Sequence, residues 1–299
     1  MIDQYWIDKA RVRASFDRAS TSYDAAAVLQ AEVRERMFSR LDLVRIVPQA
    51  ILDAGCGTGH GSATLAARYP ASRVVSLDLA MGMLKKTRAS QSGIKNKVMQ
   101  MLGMSRHDLV CGDIEHLPLA SGSMGLVWSN LAVQWCNDLD AAFVEMHRVL
   151  APEGLIMFST FGPDTLKELR QATNADPEHV HVSRFIDMHD IGDALVRAGF
   201  TAPVLDVERF VLTYDDVMGV MRDLKAIGAH NAADGRHRGL QGRGFLKQLT
   251  ANYEQFRSAG KLPATFEVVY GHAWKPMPKP KFDDGLAPVT FRPRSKEAR

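Results

Sequence analysis

The chain has 299 residues, 46% hydrophobic and 24% charged, which argues for a folded protein of one large or two small domains and against a disordered one. Its net charge of +3 is unevenly placed: residues 275–299 hold seven basic and three acidic side chains, while residues 1–274 hold 30 and 31. So balanced a body lacks the basic field of a nucleic-acid binder, and the scattered Cys56, Cys111 and Cys136 spell neither a disulfide framework nor a zinc ribbon.

The opening residues carry an early charge and no apolar run, so no secretory signal is expected; with the unpaired cysteines, this favours a cytoplasmic setting. Residues 25–44 are predicted as a helix, with Leu29, Val33, Met37, Leu41 and Val44 recurring every three to four positions. A short apolar strand, residues 50–53, runs into the glycines of residues 55–61. A helix follows over 62–69, a second strand over 74–78 and a helix over 81–90. Residues 95–106 are Met-rich (Met99, Met101, Met104) and without a clear period; the methionines read as adaptable packing. Strands are predicted at 108–113 and 125–129. The uncharged run 117–137 is broken by Pro118, Gly122 and Gly125 and is not a membrane span. Asn137 or Asp138 caps a helix carrying Leu139, Phe143, Met146 and Val149, with a turn at Pro152 and Gly154 and a buried strand at 155–160. Strands alternating with helices mean a largely parallel sheet in an α/β fold.

Beyond residue 187 come a helix (187–200), a strand (204–212), two helical patterns and a last strand (266–274). The patterns, Val217/Met221/Leu224/Ile227 and Phe245/Leu249/Tyr253/Phe256, flank a polar, Gly-rich link over 229–244 that reads as a flexible waist. The layout suggests one domain over 1–274 with a helical cap at about 215–262; two packing helices joined by a solvated loop remain the alternative. Residues 275–299, with Pro276, Pro278 and Pro280, read as a disordered basic tail.

The glycine segment carries the most information. A strand, glycines and a helix let backbone approach a ligand, with free N–H groups opening the helix. A dinucleotide fingerprint fails, since His60 and Ser62 stand where its third glycine belongs, and no Gly-Lys-Ser/Thr follows for a P-loop. What remains is D-x-G-x-G-x-G at Asp53, Gly55, Gly57 and Gly59. Asp78 ends the next strand, where an acid accepts both hydroxyls of a ribose, and Asp113 ends the third, where a carboxylate could meet an adenine amine.

Residues 52–59, Leu-Asp-Ala-Gly-Cys-Gly-Thr-Gly, resemble the first motif of the class I S-adenosylmethionine-dependent methyltransferases; Asp78, the run Gly112-Asp113-Ile114 and the turn Arg148–Gly154 match later motifs, with Glu153 in place of a glycine. The resemblance spans about residues 15–275. It implies a Rossmann-like, seven-stranded, mostly parallel sheet with helices on both faces and a reversed last hairpin. It also implies S-adenosylmethionine as cofactor, S-adenosylhomocysteine as product, and a cofactor site of Tyr23, Asp53, Gly55, Gly57, Gly59, Asp78, Leu79, Asp113, Ile114 and Asn130.

Three further segments, 16–24, 129–138 and 224–231, resemble the malonyl-acyl-carrier-protein O-methyltransferases of biotin synthesis. That resemblance implies methyl-ester formation on the free carboxylate of a malonyl thioester, carried by acyl carrier protein or coenzyme A. A carboxylate with a pKa of about 4 is already ionised at neutral pH, so no general base and no catalytic side chain is expected. Trp135, His181 and Arg184 are the candidates for the substrate, although surface polarity would explain the last two equally. The pair His179 and His181 lacks a third ligand at metal spacing, and no metal is expected. Basic residues of the cap, among them Arg222, Lys225, Arg236, Arg238, Arg243 and Lys247, could meet an acidic carrier; a solvated face explains them as well. Two other readings stay open: a class I methyltransferase of a quinone precursor or other small molecule, and a cofactor-binding assembly factor of a respiratory complex.

Overall fold

A computed structural model describes residues 4–91, 106–173, 180, 182–229, 232–235 and 243–278. Seven strands form one sheet: β1 (Ala50–Ala54), β2 (Arg73–Asp78), β3 (His107–Cys111), β4 (Met124–Asn130), β5 (Leu150–Phe161), β6 (Thr201–Tyr214) and β7 (Leu262–Trp274). Their order is β3-β2-β1-β4-β5-β7-β6. β1 to β5 run parallel, and β7 lies antiparallel between β5 and β6. This is the mostly parallel sheet with a reversed last hairpin that the resemblance implies. The strand order turns back between β1 and β4, so the loops leaving these two strands diverge and open a crevice above their C-terminal ends.

Ten helices are described: α1 (Lys9–Ala19), α2 (Tyr23–Ala26), α3 (Val28–Leu41), α4 (His60–Arg68), α5 (Met81–Ser90), α6 (Leu139–Val149), α7 (Lys167–Ala172), α8 (Met188–Arg197), α9 (Val217–Ala226) and α10 (Arg243–Tyr253). The central strands alternate between two buried layers, as a pleat with period two requires. Ile51, Leu126, Leu155 and Met157 face the layer of α3, α4, α9 and α10; Leu52, Val127, Ile156 and Phe158 face that of α6 and α8. Aspartates close the helix starts, where a side-chain oxygen takes an otherwise orphaned N–H. Asp8 accepts from Arg11 N (3.0 Å), Asp138 from Ala141 N (2.9 Å) and Asp216 from Gly219 N (2.7 Å).

Several expectations need correction. The helix of residues 25–44 is two helices, broken at Ala27 (ψ 43°). β5 starts at Leu150, not after the Pro152–Gly154 turn, because this stretch pairs with the end of β7: Glu153 N donates to Lys275 O and Lys275 N to Gly154 O, both 2.9 Å. Lys275 therefore belongs to the folded body. Its ammonium donates to the carbonyls of His147 and Leu150 (2.8 and 2.7 Å) at the C-terminal end of α6, where a cation suits the helix dipole. Residues 279–299 lie outside the described residues, as does the Met-rich connection apart from Arg106. The link over 229–244 is not simply a flexible waist. Ala232 and Ala233 are buried, and Asp8 N donates to Ala232 O (3.0 Å), Asp234 N to Trp6 O (2.9 Å) and Gly235 N to Gln4 O (2.8 Å). This part of the link pins the segment before α1.

Candidate active site

The loop after β1 is shaped by three left-handed glycines, Gly55 (φ 79°), Gly57 (φ 55°) and Gly59 (φ 86°). Two of them also lack room for a side chain: a Cβ on Gly55 would meet Ala132 Cβ at 2.3 Å, and one on Gly59 would meet Thr87 at 2.5 Å. Most of the loop's N–H groups are spent internally. Gly55 N and Cys56 N donate to Leu77 O, Gly59 N to Cys56 O, and Gly57 N to Asp78 Oδ2. The loop is thus a surface for close approach rather than an open anion cradle, and the expectation of free N–H groups is corrected for these four.

Asp78 ends β2 with both oxygens held: Oδ2 by Gly57 N (2.9 Å) and Oδ1 by Ala80 N (2.8 Å). Burial nevertheless pushes its carboxyl up to about 6, against these two hydrogen bonds. Asp113 Oδ1 accepts from Lys9 Nζ (2.9 Å) and from Glu115 N (3.1 Å), and Lys9 also pairs with Glu115. Asn130 is fixed at both ends, its Nδ2 on Gln30 O (3.1 Å) and its Oδ1 accepting from Ser159 Oγ (2.9 Å).

One cavity gathers most of the predicted cofactor residues: Tyr23, Gly55, Gly57, Asp78, Leu79, Asp113, Ile114 and Asn130, together with Trp135. Asp53 and Gly59 do not line it. Asp53 is only 2% exposed beneath the loop, accepting from Ser62 Oγ at 2.5 Å; Gly59 starts α4. The cavity's roof is α1, which contributes Lys9, Val12 and Phe16. Phe16 meets Trp135 edge-on (centroids 5.3 Å) and Tyr23 at 6.4 Å, so three aromatic rings wall one end. The roof is held by Asn137, whose Oδ1 accepts from Ile7 N (2.6 Å) and whose Nδ2 donates to Ile7 O (2.9 Å).

A larger cavity of about 1020 Å³ adjoins the first across the short 3₁₀ turn Val133–Trp135: Trp135 faces the first cavity, Gln134 the second, and Cys136 lines both. The second is lined from the segment before α1, from β5, from residues 180 and 182–187 and from α8. Arg184 lines it, exposed, with no hydrogen bond or ion pair to another described residue; Arg170 and Arg197 also line it but are engaged, Arg170 with backbone carbonyls and Arg197 with Asp140. His179 and His181 lie outside the described residues, as do Arg236 and Arg238. Among the described residues no group of His, Cys, Asp and Glu is arranged to hold a metal, and no helix is long and apolar enough to cross a membrane.

Lys9, Phe16 and Arg34 were not singled out as site residues by the sequence. Lys9 and Phe16 sit at helical spacing in α1, but a helix alone does not say what it roofs. Arg34, on α3, has a buried Nε that makes no hydrogen bond but lies 3.5 Å from Glu35 Oε1, and its charge acts on Asp53 and Tyr23.

A family model described as "Methyltransferase domain" matches residues 52–158, the stretch from the glycine loop to β5. The chain is 72% identical to the malonyl-acyl-carrier-protein O-methyltransferase of Methylovorus sp. (strain MP688), over 98% of each, and 57% identical to that of Laribacter hongkongensis (strain HLHK9), over 99% of each. The chain belongs to the malonyl-acyl-carrier-protein O-methyltransferase family. Membership makes it a methyltransferase enzyme and sets aside the quinone-precursor and assembly-factor readings. The fold is shared more widely. The YcgJ protein of Bacillus subtilis matches 81% of this chain and 98% of its own with a TM-score of 0.56 at 14% identity.

Proposed function

We propose that this methyltransferase transfers the methyl group of S-adenosylmethionine to the free carboxylate of a malonyl thioester, on acyl carrier protein and, as the finer alternative, on coenzyme A. The observation carrying this reading is the pair of cavities meeting at Trp135 and Cys136, one lined by an acid set for a ribose and the other wide enough for a thioester arm. The residues present fit the cofactor. Asp78 is the ribose acceptor, its orientation fixed by two backbone N–H groups. Asp113 and Ile114 offer the adenine side a carboxylate and an apolar face. Bound there, the sulfonium supplies an electrophilic methyl carbon and a neutral leaving group.

The protein's own work is positioning and exclusion of water. The malonyl carboxylate arrives ionised and needs no base. Phe16, Tyr23 and Trp135 present aromatic faces that favour a cation. Arg184, which has no hydrogen bond or ion pair to another described residue, is a cation for the substrate's negative charge; as an exposed group at the wide cavity it attracts without quenching the nucleophile. Cys136 lines both cavities, yet burial, helped by the charges of Glu115, Asp113 and Asp138, pushes its thiol up to about 12. It stays protonated at neutral pH and does not compete for the methyl group. The roof of α1, tied down through Asn137 and Ile7, closes the reacting atoms from solvent.

The test is direct. The purified chain is incubated with S-adenosylmethionine and either malonyl-acyl carrier protein or malonyl-coenzyme A, and the thioesters are read by mass spectrometry. One added methyl on malonyl but not on acetyl carrier protein is the expected result. Methylation of neither malonyl substrate, by protein that binds the cofactor, would overturn the reading.

A further inference from the structure

A row of polar side chains crosses the otherwise apolar face between α4 and the sheet. Asp53 Oδ2 accepts from Ser62 Oγ at 2.5 Å, Ser62 Oγ lies 2.6 Å from Ser76 Oγ, and Ser76 Oγ lies 2.6 Å from His107 Nε2. Gln91 Nε2 stands 3.1 Å from the same ring nitrogen. Asp53 and Ser76 are register partners on β1 and β2, and His107 begins β3. Ser62 and Ser76 have no exposure, and their neighbours on this face are Ile51, Leu65 and Val74. Valine at Ser76 would continue the apolar layer; hydroxyls there cost desolvation and persist only as a satisfied chain. The mechanism above uses neither serine nor His107.

We propose that Ser62, Ser76 and His107 form a proton relay that lets Asp53 ionise, beneath the occupied cofactor cavity, by releasing its proton at the far side of the sheet. With Asp53 protonated, its O–H donates to Ser62, Ser62 to Ser76 and Ser76 to His107 Nε2, and the ring carries its proton on Nδ1. Gln91 Nε2, a donor, agrees with this state. With Asp53 ionised, each hydroxyl turns round: Ser62 donates to Asp53, Ser76 to Ser62 and His107 Nε2–H to Ser76. The Nδ1 proton passes to water. One proton leaves the carboxyl and one enters solvent; each serine passes its own proton on and takes the one behind it, so its hydroxyl count is unchanged.

The surroundings support the coupling. Burial lifts the Asp53 carboxyl to about 7, the charge of Asp78 adds to this, and Ser62 and the Arg34 guanidinium oppose it. Burial lowers the His107 imidazole, with Asp108 opposing, and Asp108 is itself paired with Arg73 at 2.5 Å. Among the described residues, these are the charged groups that act on the two ends. Resting on the proposed cofactor, its positive charge in the neighbouring cavity would favour the Asp53 carboxylate, while the 2% exposure of Asp53 closes the direct way out.

Nitrogen-15 NMR of the His107 ring in the full chain tests this in two arms. Without ligand, a titration from pH 5 to 9 should exchange the protonated and unprotonated ring nitrogens in step with Asp53; Asp53→Asn and Ser76→Ala should hold one tautomer throughout. With S-adenosylmethionine at pH 7, the wild-type ring should exchange and Ser76→Ala, while still binding the cofactor, should not. Ser62→Ala, cutting the chain at another link, should behave as Ser76→Ala. A wild-type ring that keeps one tautomer across the titration overturns the relay. A relay that switches with pH while calorimetry finds no S-adenosylmethionine binding would overturn the functional reading and leave the relay standing.

Discussion

The two cavities are built in different ways. The proposed cofactor cavity is made of strand ends: the loop after β1, the last residue of β2, the turn after β3 and the end of β4, all placed by one parallel sheet. The neighbouring cavity is made of segments between elements, residues 4–7, 180 and 182–187, with faces of β5 and α8. A site made from backbone needs particular residues at particular φ, and so writes glycines and aspartates at fixed spacing into the sequence. A site made from side chains on connecting segments needs only a shape and a charge, and many sequences meet that need.

Five variants bear on this contrast. The largest effect is expected from Asp78→Ala. It removes the proposed ribose acceptor and frees Gly57 N, and should weaken S-adenosylmethionine binding by about 100-fold, or roughly 2–4 kcal/mol by calorimetry, with the second cavity intact. A change under threefold would break the assignment of the first cavity. Next comes Asp53→Asn, which mimics the protonated acid. The folded-state pKa of Asp53, raised to about 7 from an unfolded value near 4, makes its stabilisation full below pH 4 and lost as pH rises through 7. Ligand-free Asp53→Asn should therefore gain on wild type by about 2 kcal/mol between pH 5 and 8 in urea titrations. A constant difference would mean that Asp53 is ionised throughout.

Arg184→Ala should act on the other cavity alone. An exposed ion pair is worth about 1 kcal/mol at most, so KM for the malonyl thioester should rise about fivefold while the cofactor Kd stays put. An effect on the cofactor instead would merge the two sites. The smallest effect concerns backbone away from both. Glu153 has φ 62°, a region that costs a non-glycine residue about 1 kcal/mol, so Glu153→Gly should raise stability by roughly 0.5 kcal/mol after glycine's own entropy cost, with unchanged kinetics. Gly154→Ala should lower it, since a Cβ there meets Ala151 O at 2.8 Å.

The same contrast explains what could be read without coordinates. Asp78 and the glycines were legible because sheet topology places strand ends together whatever lies between. Asp53 was read as a contact residue through its motif position, but spacing does not say that the side chain turns under the loop to Ser62. Nothing in the helical pattern of α1 says that it roofs the cavity. That follows from Asn137 gripping Ile7 and from Ala232 meeting Asp8, contacts between residues far apart in the chain. The start of β5 was missed because its first residues pair with Lys275, again a distant partner.

The docking of residues 4–8 against residues 232–235 also sets an order of events in synthesis. A ribosome adds about 5–20 residues per second, so the segment ahead of α1 emerges on the order of 10–50 s before the link that holds it. The sheet's first four strands and the contact of Asn137 with Ile7 can form during that interval; the second tether of the roof cannot. The nascent chain can thus hold Asp78 and the glycine loop in place beneath a roof fastened at one point. Full closure of that roof waits for residues 232–235.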